Sequence, residues 1–271
     1  MMIKDTRNLD NFAIKKKIEL LTIIIPVFNE SRTLEKSIKG LYQVLNSIKT
    51  HYEVYVVESN STDGSRDIVL NLNKLFDFKL ILQDQPKGKG FAVRSALALI
   101  KGDVFVIFDA DDEYNPKDLV KLLSPIESGE TSFVLGSRHS HSWAFRSFDK
   151  NLSTSLLMNV AHVFFTQIIN ILFRTKFRDP FTMYKIIRKE IFRNINLTSN
   201  RFDLDWELVC IAVRLGSKPI EIPVHYDSRG FKDGKKIRFF YDPLTWIVAI
   251  FKFRFMPINR ADRGEIEISE N

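Results

Sequence analysis

The run Val104-Phe105-Val106-Ile107-Phe108 constrains this chain more than any other segment. It is apolar throughout with no polar alternation, the pattern of a strand covered on both faces. Such cover comes from helices flanking a largely parallel sheet, so the segment argues for a layered α/β domain. The run ends in Asp109-Ala110-Asp111-Asp112-Glu113. Open α/β sheets bind ligands beyond the carboxyl ends of their strands, so four carboxylates stand where a ligand is expected. A shared hard cation such as Mg²⁺ or Mn²⁺ relieves their repulsion, and such a cation commonly carries a diphosphate. Asp112 is the member expected to serve only the acidic loop before the helix after Pro116.

The rest of the chain repeats the strand–helix rhythm. Leu20 to Pro26 reads as a buried strand, and Leu34, Ile38, Leu41, Leu45 and Ile48 recur at helical spacing. Glu53 to Val57 and Lys79 to Leu82 are further strands; Ile68, Leu72 and Leu75, then Val93, Leu97 and Ile100, mark the helices after them. Beyond Pro116 the pattern predicts a strand at Phe133–Gly136, a long helix at Leu152–Phe173 and an edge strand at Tyr184–Ile187. It then predicts a helix at Leu204–Leu215, a last strand at Lys218–Val224 and a helix at Pro243–Phe255. No low-complexity linker or internal repeat interrupts the order, so one domain with a C-terminal appendage is expected.

The single Cys210 excludes an intramolecular disulfide and suits a reducing cytoplasm. No secretory signal is read, because the apolar run at Leu20 lies too far in and ends in Asn29-Glu30. Leu156 to Phe173 is the best membrane candidate, but Asn159, His162, Gln167 and Asn170 interrupt it. A span needs about 20 mostly apolar residues, so none is expected. The apolar faces of that helix and of Pro243–Phe255 are expected to be core or dimer surface. A net charge of +7 points to an anionic partner, and the dispersed basic residues exclude a nucleic-acid module.

Two polar loops share the sheet edge with the acids: Pro26-Val27-Phe28-Asn29-Glu30, and Glu58-Ser59-Asn60-Ser61-Thr62-Asp63-Gly64. Glu30 or Glu58 can accept hydrogen bonds from a nucleobase, and Phe28 can lie against it; Asp63-Gly64 suits a tight turn. Lys89 and Arg94 either touch phosphate or start a helix. Arg229, Lys232, Lys235 and Lys236, with Gly230 and Gly234 among them, suit a mobile lid that neutralises a departing diphosphate. Asp203, Asp205 and Glu207 can present an acid to an acceptor. His139 and His141 are expected in a surface turn, and His225 in a structural role or facing the site.

The ordered set Pro-Val-Phe-Asn-Glu, Ser-Thr-Asp-Gly, Gly-Lys-Gly, Asp-Ala-Asp and Gly-Ser-Arg resembles glycosyltransferase family 2, and within it dolichol-phosphate mannose synthase-like enzymes. The resemblance runs from Leu20 to Phe255. It implies a GT-A fold, Rossmann-like with a mostly parallel central sheet flanked by helices, as the unit at 20–240. Around it a polar leader at 1–19, an amphipathic helix at 241–258 and a flexible tail at 259–271 are expected. It also implies inversion at the sugar C1, a nucleotide-diphosphate sugar donor and Mg²⁺ or Mn²⁺ held by Asp109, Asp111 and Glu113. The donor contacts it implies are Pro26, Phe28, Glu30, Glu58, Lys89, Asp109, Ala110, Asp111, Arg229 and Lys235. Arg138, Lys150 and Ser155 fall where the acceptor phosphate binds, and Asp205 or Asp203 is the expected base for a hydroxyl acceptor.

Besides Glu113 in place of a metal-binding Gln and Glu58-Ser59 in place of an Asp pair, two departures bear on the acceptor side. Asn151 replaces a basic residue, for which Lys150 substitutes. Asp179-Pro180-Phe181-Thr182-Met183-Tyr184-Lys185 replaces a Ser-Gly-Phe-Arg-like stretch. The expected reaction is transfer of a GDP-mannose-like or UDP-hexose sugar to a polyprenyl phosphate, at the cytoplasmic face of a membrane and with a homodimer possible. The rival acceptor is a surface-glycan hydroxyl. From other classes come a nucleotidyltransferase, which would want a glycine-rich loop that Pro26-Val27-Phe28-Asn29 lacks, and a non-catalytic nucleotide-sugar-binding protein.

Overall fold

The structure, a computed structural model, describes residues 17–139, 152–228 and 242–258. Among these residues seven strands form one sheet: β1 (Leu20–Val27), β2 (His51–Glu58), β3 (Lys79–Leu82), β4 (Val104–Ile107), β5 (Phe133–Ser137), β6 (Lys185–Arg188) and β7 (Ile220–Pro223). Their order is β3-β2-β1-β4-β6-β5-β7. All pairings are parallel except those of β6, which runs against both β4 and β5. The expected mostly parallel α/β architecture is therefore what the chain adopts, with one reversed strand.

That strand corrects one expectation. β6 is an inner strand, not an edge, and Lys185 through Arg188 are all buried. Its sequence reads as an edge because Lys185 and Arg188 flank only Ile186 and Ile187. Both cations are instead accommodated inside.

Among the described residues seven α-helices cover the sheet: α1 (Leu34–Leu45), α2 (Ser65–Leu72), α3 (Lys89–Leu97), α4 (Asp118–Glu127), α5 (Leu152–Phe173), α6 (Leu204–Arg214) and α7 (Asp242–Phe255). Alternation along each strand sorts its side chains between two cores. Ile23, Ile25, Val54, Val56, Val104 and Val106 meet α1, α2 and α4 on one face. Ile24, Tyr55, Val57, Phe105 and Ile107 meet α3, α5, α6 and α7 on the other. Each fully buried isoleucine or valine contributes about 1.5–3 kcal/mol, and this two-sided burial is why β1 and β4 carry no polar alternation.

β4 lies on the opposite side of β1 from β2 and β3, so the strand order reverses between β1 and β4. The crevice at such a reversal is where open α/β sheets take their ligands. The Asp109 loop leaves the sheet there.

α5 is only partly core, and one chain alone does not test the dimer surface also expected of it. Phe165 and Ile169 pack inward, with Phe165 edge-on to Trp206 and Trp246. Leu152, Leu156, Leu157, Val160, Phe164 and Ile171 are exposed, so most of this helix is not core. By length and composition alone α5 is apolar enough to cross a membrane. α7 buries Ile250 and Phe253 and exposes Val248 and Phe255.

Candidate active site

The loops after β1 and β2 are stitched together. Asn29 N donates to Ser61 Oγ (2.9 Å), Thr62 N to Asn29 Oδ1 (2.8 Å), Glu30 N to Ser65 Oγ (2.8 Å) and Ser31 N to Asp63 Oδ2 (2.9 Å). Asn29 and Asn60 take left-handed conformations, which asparagine tolerates, and Gly64 follows Asp63 at φ 92°. Pro26, Phe28 and Glu30 are half-buried along this edge, and the Glu30 carbonyl accepts from Thr33 N and Leu34 N at the start of α1.

Glu58, one of the two carboxylates expected to meet a nucleobase, is anchored within this edge. It is fully buried and accepts from Ser61 N (2.7 Å), Asn60 N (3.2 Å) and Arg66 Nε (2.5 Å). Burial pushes its carboxyl up, but the bonds from Ser61 and Arg66 outweigh that and hold it below the usual range. Both carboxylate oxygens therefore work inside the loop. The neighbouring Ser59 Oγ donates to Gln83 Oε1 (2.8 Å), and Asn60 Nδ2 to the Asp84 carbonyl (2.9 Å), so the wall of this crevice continues to the residues that follow β3.

The four acids after β4 part company. Asp109 is ion-paired with Lys89, the first residue of α3. Ala110 is buried, and its carbonyl accepts from Thr33 Oγ1 (2.8 Å). Asp111 Oδ1 accepts from Glu113 N (3.1 Å), which turns the chain. Asp112, at φ 61°, pairs with exposed Lys36 (2.5 Å) and is peripheral as expected. Glu113 is buried and accepts from Tyr226 OH at 2.6 Å.

Among the described residues no three of His, Cys, Asp and Glu gather closely enough to cage a metal ion. The expected trio of Asp109, Asp111 and Glu113 is therefore not assembled as protein ligands here; a bound tyrosine hydroxyl occupies Glu113. Asp109 and Asp111 are the pair with the right chemistry. Mg²⁺ ordinarily takes one or two carboxylates and completes its shell with substrate phosphates and water, so two acids suit a cation that arrives with a diphosphate.

Behind Asp109 runs an alternating line of buried charge. Asp205, in the first turn of α6, accepts from Lys185 Nζ at 2.6 Å, and Lys185 also donates to the Thr182 carbonyl. Burial lowers the Lys185 ammonium and raises the Asp205 carboxyl from their usual values. Burial likewise pulls on Lys89, but the fields of Asp109, Asp205 and Asp111 prevail and raise it. The fields of Asp109, Asp111 and Asp205 thus meet at Lys89, which is in contact with Asp109. Lys185, which sequence reasoning missed, is the fifth member; a lysine followed by Ile186-Ile187 was its only signal.

Asp203 and Glu207 serve the backbone instead. Asp203 accepts from Arg201 N (2.9 Å), and Glu207 accepts from Thr198 N and Ser199 N (both 2.8 Å). Arg94 grips the same loop through the Leu197 and Ser199 carbonyls (2.9 and 3.0 Å), so it fastens a loop rather than reaching for phosphate.

Arg138 follows β5, and it is held by Asp179. Its Nε and Nη2 donate to the two carboxylate oxygens at 2.8 and 2.6 Å, and its Nη1 makes no hydrogen bond among the described residues. The guanidinium lies over the Tyr226 ring at 5.3 Å, so Tyr226 links Arg138 to Glu113. His139 is buried rather than in a surface turn, its Nε2 3.1 Å from that of His162. The long α5 supplies His162 from a distance in sequence that spacing could not reveal. His225 is exposed and paired with Asp118 (3.2 Å). Ser155 is buried on α5, where its carbonyl accepts from Asn159 Nδ2 (2.6 Å). Lys150, Arg229 and Lys235, with His141, Asn151, Lys232 and Lys236, lie outside the described residues.

An open α/β sheet with two aspartates leaving the strand at its switch point defines the class: a GT-A-like fold. Residues 22–195 match the model of glycosyl transferase family 2, well over half of the chain, and the chain belongs to that family. It is 26% identical over 239 residues to a dolichol-phosphate mannosyltransferase of Pyrococcus furiosus, covering 86% of this chain and 64% of that relative. A dolichyl-phosphate β-glucosyltransferase, ALG5A of Trichomonas vaginalis, is also 26% identical, over 80% of this chain and 68% of its own length. The chain thus spans about two thirds of these relatives. Among solved structures, glucosyl-3-phosphoglycerate synthase of Mycobacterium tuberculosis, in complex with Mn²⁺, uridine diphosphate and phosphoglyceric acid, superposes with a TM-score of 0.63. That match is 17% identical and covers 88% of this chain and 80% of that one. At that identity the likeness concerns the fold.

Proposed function

We propose that the protein is an inverting glycosyltransferase that moves a hexose from a nucleoside-diphosphate sugar to a polyprenyl phosphate at a membrane surface. The observation that carries this reading is the pair Asp109 and Asp111 at the reversal between β1 and β4, beside the half-buried Phe28 and Glu30. Residues Pro26, Phe28 and Glu30 line the space for the nucleobase, and Glu58 shapes that wall from behind through Asn60 and Ser61. Asp109 and Asp111 would hold Mg²⁺ or Mn²⁺. Such a cation supplies Lewis-acid neutralisation of the negative charge that builds on a departing nucleoside diphosphate. Arg229 and Lys235 are proposed to add to it from the basic loop.

Arg138 supports the acceptor assignment. A bidentate pair with Asp179 aims the guanidinium, and Nη1 keeps its donors for a phosphate oxygen. The nearby acceptor contacts proposed are Ser155 and Lys150. A phosphate monoester, with a second pKa of about 6, is already ionised near neutral pH and attacks the sugar C1 without a protein base. This agrees with an Asp205 already engaged by Lys185. The names of the two curated relatives, both dolichyl-phosphate glycosyltransferases, support the same acceptor class. The exposed apolar side of α5, with Arg254 of α7 donating to the Leu172 carbonyl at its C-terminal end (2.9 Å), supports peripheral contact with an anionic leaflet.

The test is transfer of labelled hexose from GDP- and UDP-sugars to polyprenyl phosphate, with product extracted into organic solvent. Asp111→Asn is expected to lose about 100-fold or more of the activity, as loss of transition-state charge stabilisation does, while Asp112→Asn stays within about twofold. Undiminished transfer by Asp111→Asn would falsify the assignment of the cation pair. Label confined to the aqueous phase would move the acceptor to a glycan.

A further inference from the structure

Tyr226, just beyond β7, touches two separate loops of the site. Its hydroxyl donates to Glu113 Oε2 at 2.6 Å, in the loop after β4, and its ring lies under the Arg138 guanidinium at 5.3 Å. The ring itself is fixed. Tyr226 and Tyr114 form an antiparallel backbone bridge, and their rings stand 4.9 Å apart at 54°. Asp227 N adds a bond to the Glu113 carbonyl at 2.9 Å. Tyr114 is buried and held in turn: its hydroxyl accepts from Met183 N at 3.3 Å and lies 3.3 Å from Thr182 Oγ1. Thr182 donates to the carbonyl of Gly136 on β5, shortly before Arg138. A closed circuit thus runs from the backbone before Arg138 through Thr182, Tyr114 and Tyr226 to the Arg138 side chain.

Asp179 alone does not fix the guanidinium. Its two side-chain bonds, from Nε and Nη2, lie in the plane of the fork and leave it free to tilt about the line joining the carboxylate oxygens. An aromatic face against one side of that plane stops the tilt and also attracts the cation. Nη1, which makes no hydrogen bond among the described residues, stands farthest from the tilt axis and is the atom a tilt displaces most. We propose that Tyr226 is a positioning residue for the acceptor: its ring sets the plane of Arg138, and its hydroxyl sets the ring by binding Glu113. This rests on the reading of Arg138 as the contact for the acceptor phosphate. The loop after β4 then supports the acceptor side as well, because a shift of Glu113 moves the ring on which Arg138 rests.

The test is a kinetic cycle on the full chain, with KM measured separately for polyprenyl phosphate and for the sugar donor. The proteins are wild type, Tyr226→Phe, Tyr226→Leu, Arg138→Ala and the double variant Arg138→Ala, Tyr226→Leu. Tyr226→Leu is expected to raise KM for the acceptor about tenfold, with KM for the donor and kcat within about twofold of wild type. Tyr226→Phe keeps the ring and loses only its tether, so its acceptor KM should fall between the two. A residue that acts through Arg138 has nothing left to act on in Arg138→Ala, so Tyr226→Leu should raise acceptor KM no further there. Equal losses in the two backgrounds, or an acceptor KM unmoved by Tyr226→Leu, overturn the proposal and leave Arg138 in its role. A fall in kcat with both KM values unchanged marks a merely structural residue and overturns it too. An acceptor KM unmoved by Arg138→Ala, or a wild type that transfers nothing to polyprenyl phosphate, removes the acceptor reading and the proposal with it. Should Tyr226→Leu fail to fold, Tyr226→Phe takes its place, and its acceptor KM must rise by at least about twofold in the wild-type background and not in Arg138→Ala.

Discussion

Arg138 and Asp179 form a three-point contact: the Arg138 backbone N–H and Nε both donate to Asp179 Oδ2 at 2.8 Å, and Nη2 donates to Oδ1 at 2.6 Å. Asp179 is fully buried, and its own backbone N–H donates to Glu221 Oε1 at 2.6 Å. Removing one partner strands the other in a low-dielectric setting. Asp179→Ala is therefore expected to cost about 3–5 kcal/mol in urea unfolding. Arg138→Lys should recover little of an Arg138→Ala defect, because an ammonium cannot make the parallel pair. If Arg138 serves the acceptor phosphate, its alanine variant raises KM for the acceptor and leaves KM for the donor near the wild-type value.

Acid should weaken the protein through identifiable carboxylates. Burial pushes Glu53 up, but bonds from Lys79 (2.6 Å), Thr22 (2.7 Å), Lys101 N (2.8 Å) and Gly102 N (3.1 Å) prevail and bring it down to about 2. Asp63 falls to about 2 in the same way: burial raises it, and its bonds from Ser65 and Ser31 outweigh that. A carboxyl depressed in the fold binds fewer protons there than in the unfolded chain. Its stabilisation is complete above the unfolded values of 4.5 and 3.8, and is lost as pH falls toward 2. Chemical unfolding across that window should show the decline, and Glu53→Gln should flatten it. An unchanged slope in that variant would remove Glu53 from the explanation.

Gly90→Ala should destabilise the protein by about 1–3 kcal/mol, because the added methyl meets the Ser199 and Arg201 carbonyls and those belong to backbone that Glu207 and Arg94 hold in place. Thermal unfolding checks this, and Gly64→Ala is the contrast. A Cβ at Gly64 meets nothing within 4 Å, so its only cost is the φ of 92°.

Membrane contact through α5 is tested by vesicle flotation. The double variant Leu156→Asp, Leu157→Asp alters residues that are 55% and 58% exposed, so the fold should keep its melting temperature. Loss of apolar burial in the lipid interface should reduce partitioning by about tenfold or more. Unchanged flotation would reject the face. A mass that falls to that of a monomer in the variant would assign it to a second copy of the chain instead.

Periodicity and composition along the chain were enough to establish the strand–helix order, the two-faced burial of β1 and β4 and the acids at the sheet edge, because these are local consequences of side-chain sequence. The five ordered motifs went further and indicated the family. Contacts between distant segments were another matter. That Glu58 is spent on Arg66, that Glu113 holds Tyr226, and that Asp179 grips Arg138 each depend on how segments 8 to 113 residues apart meet. The inner position of β6 likewise required β4 and β5 on either side, and its buried Lys185 is tolerated only because α6 brings Asp205 to it. A carboxylate's chemistry is written in its residue type. Whether that carboxylate faces a ligand or a neighbouring cation is decided by desolvation and pairing, which exist only once the chain is folded.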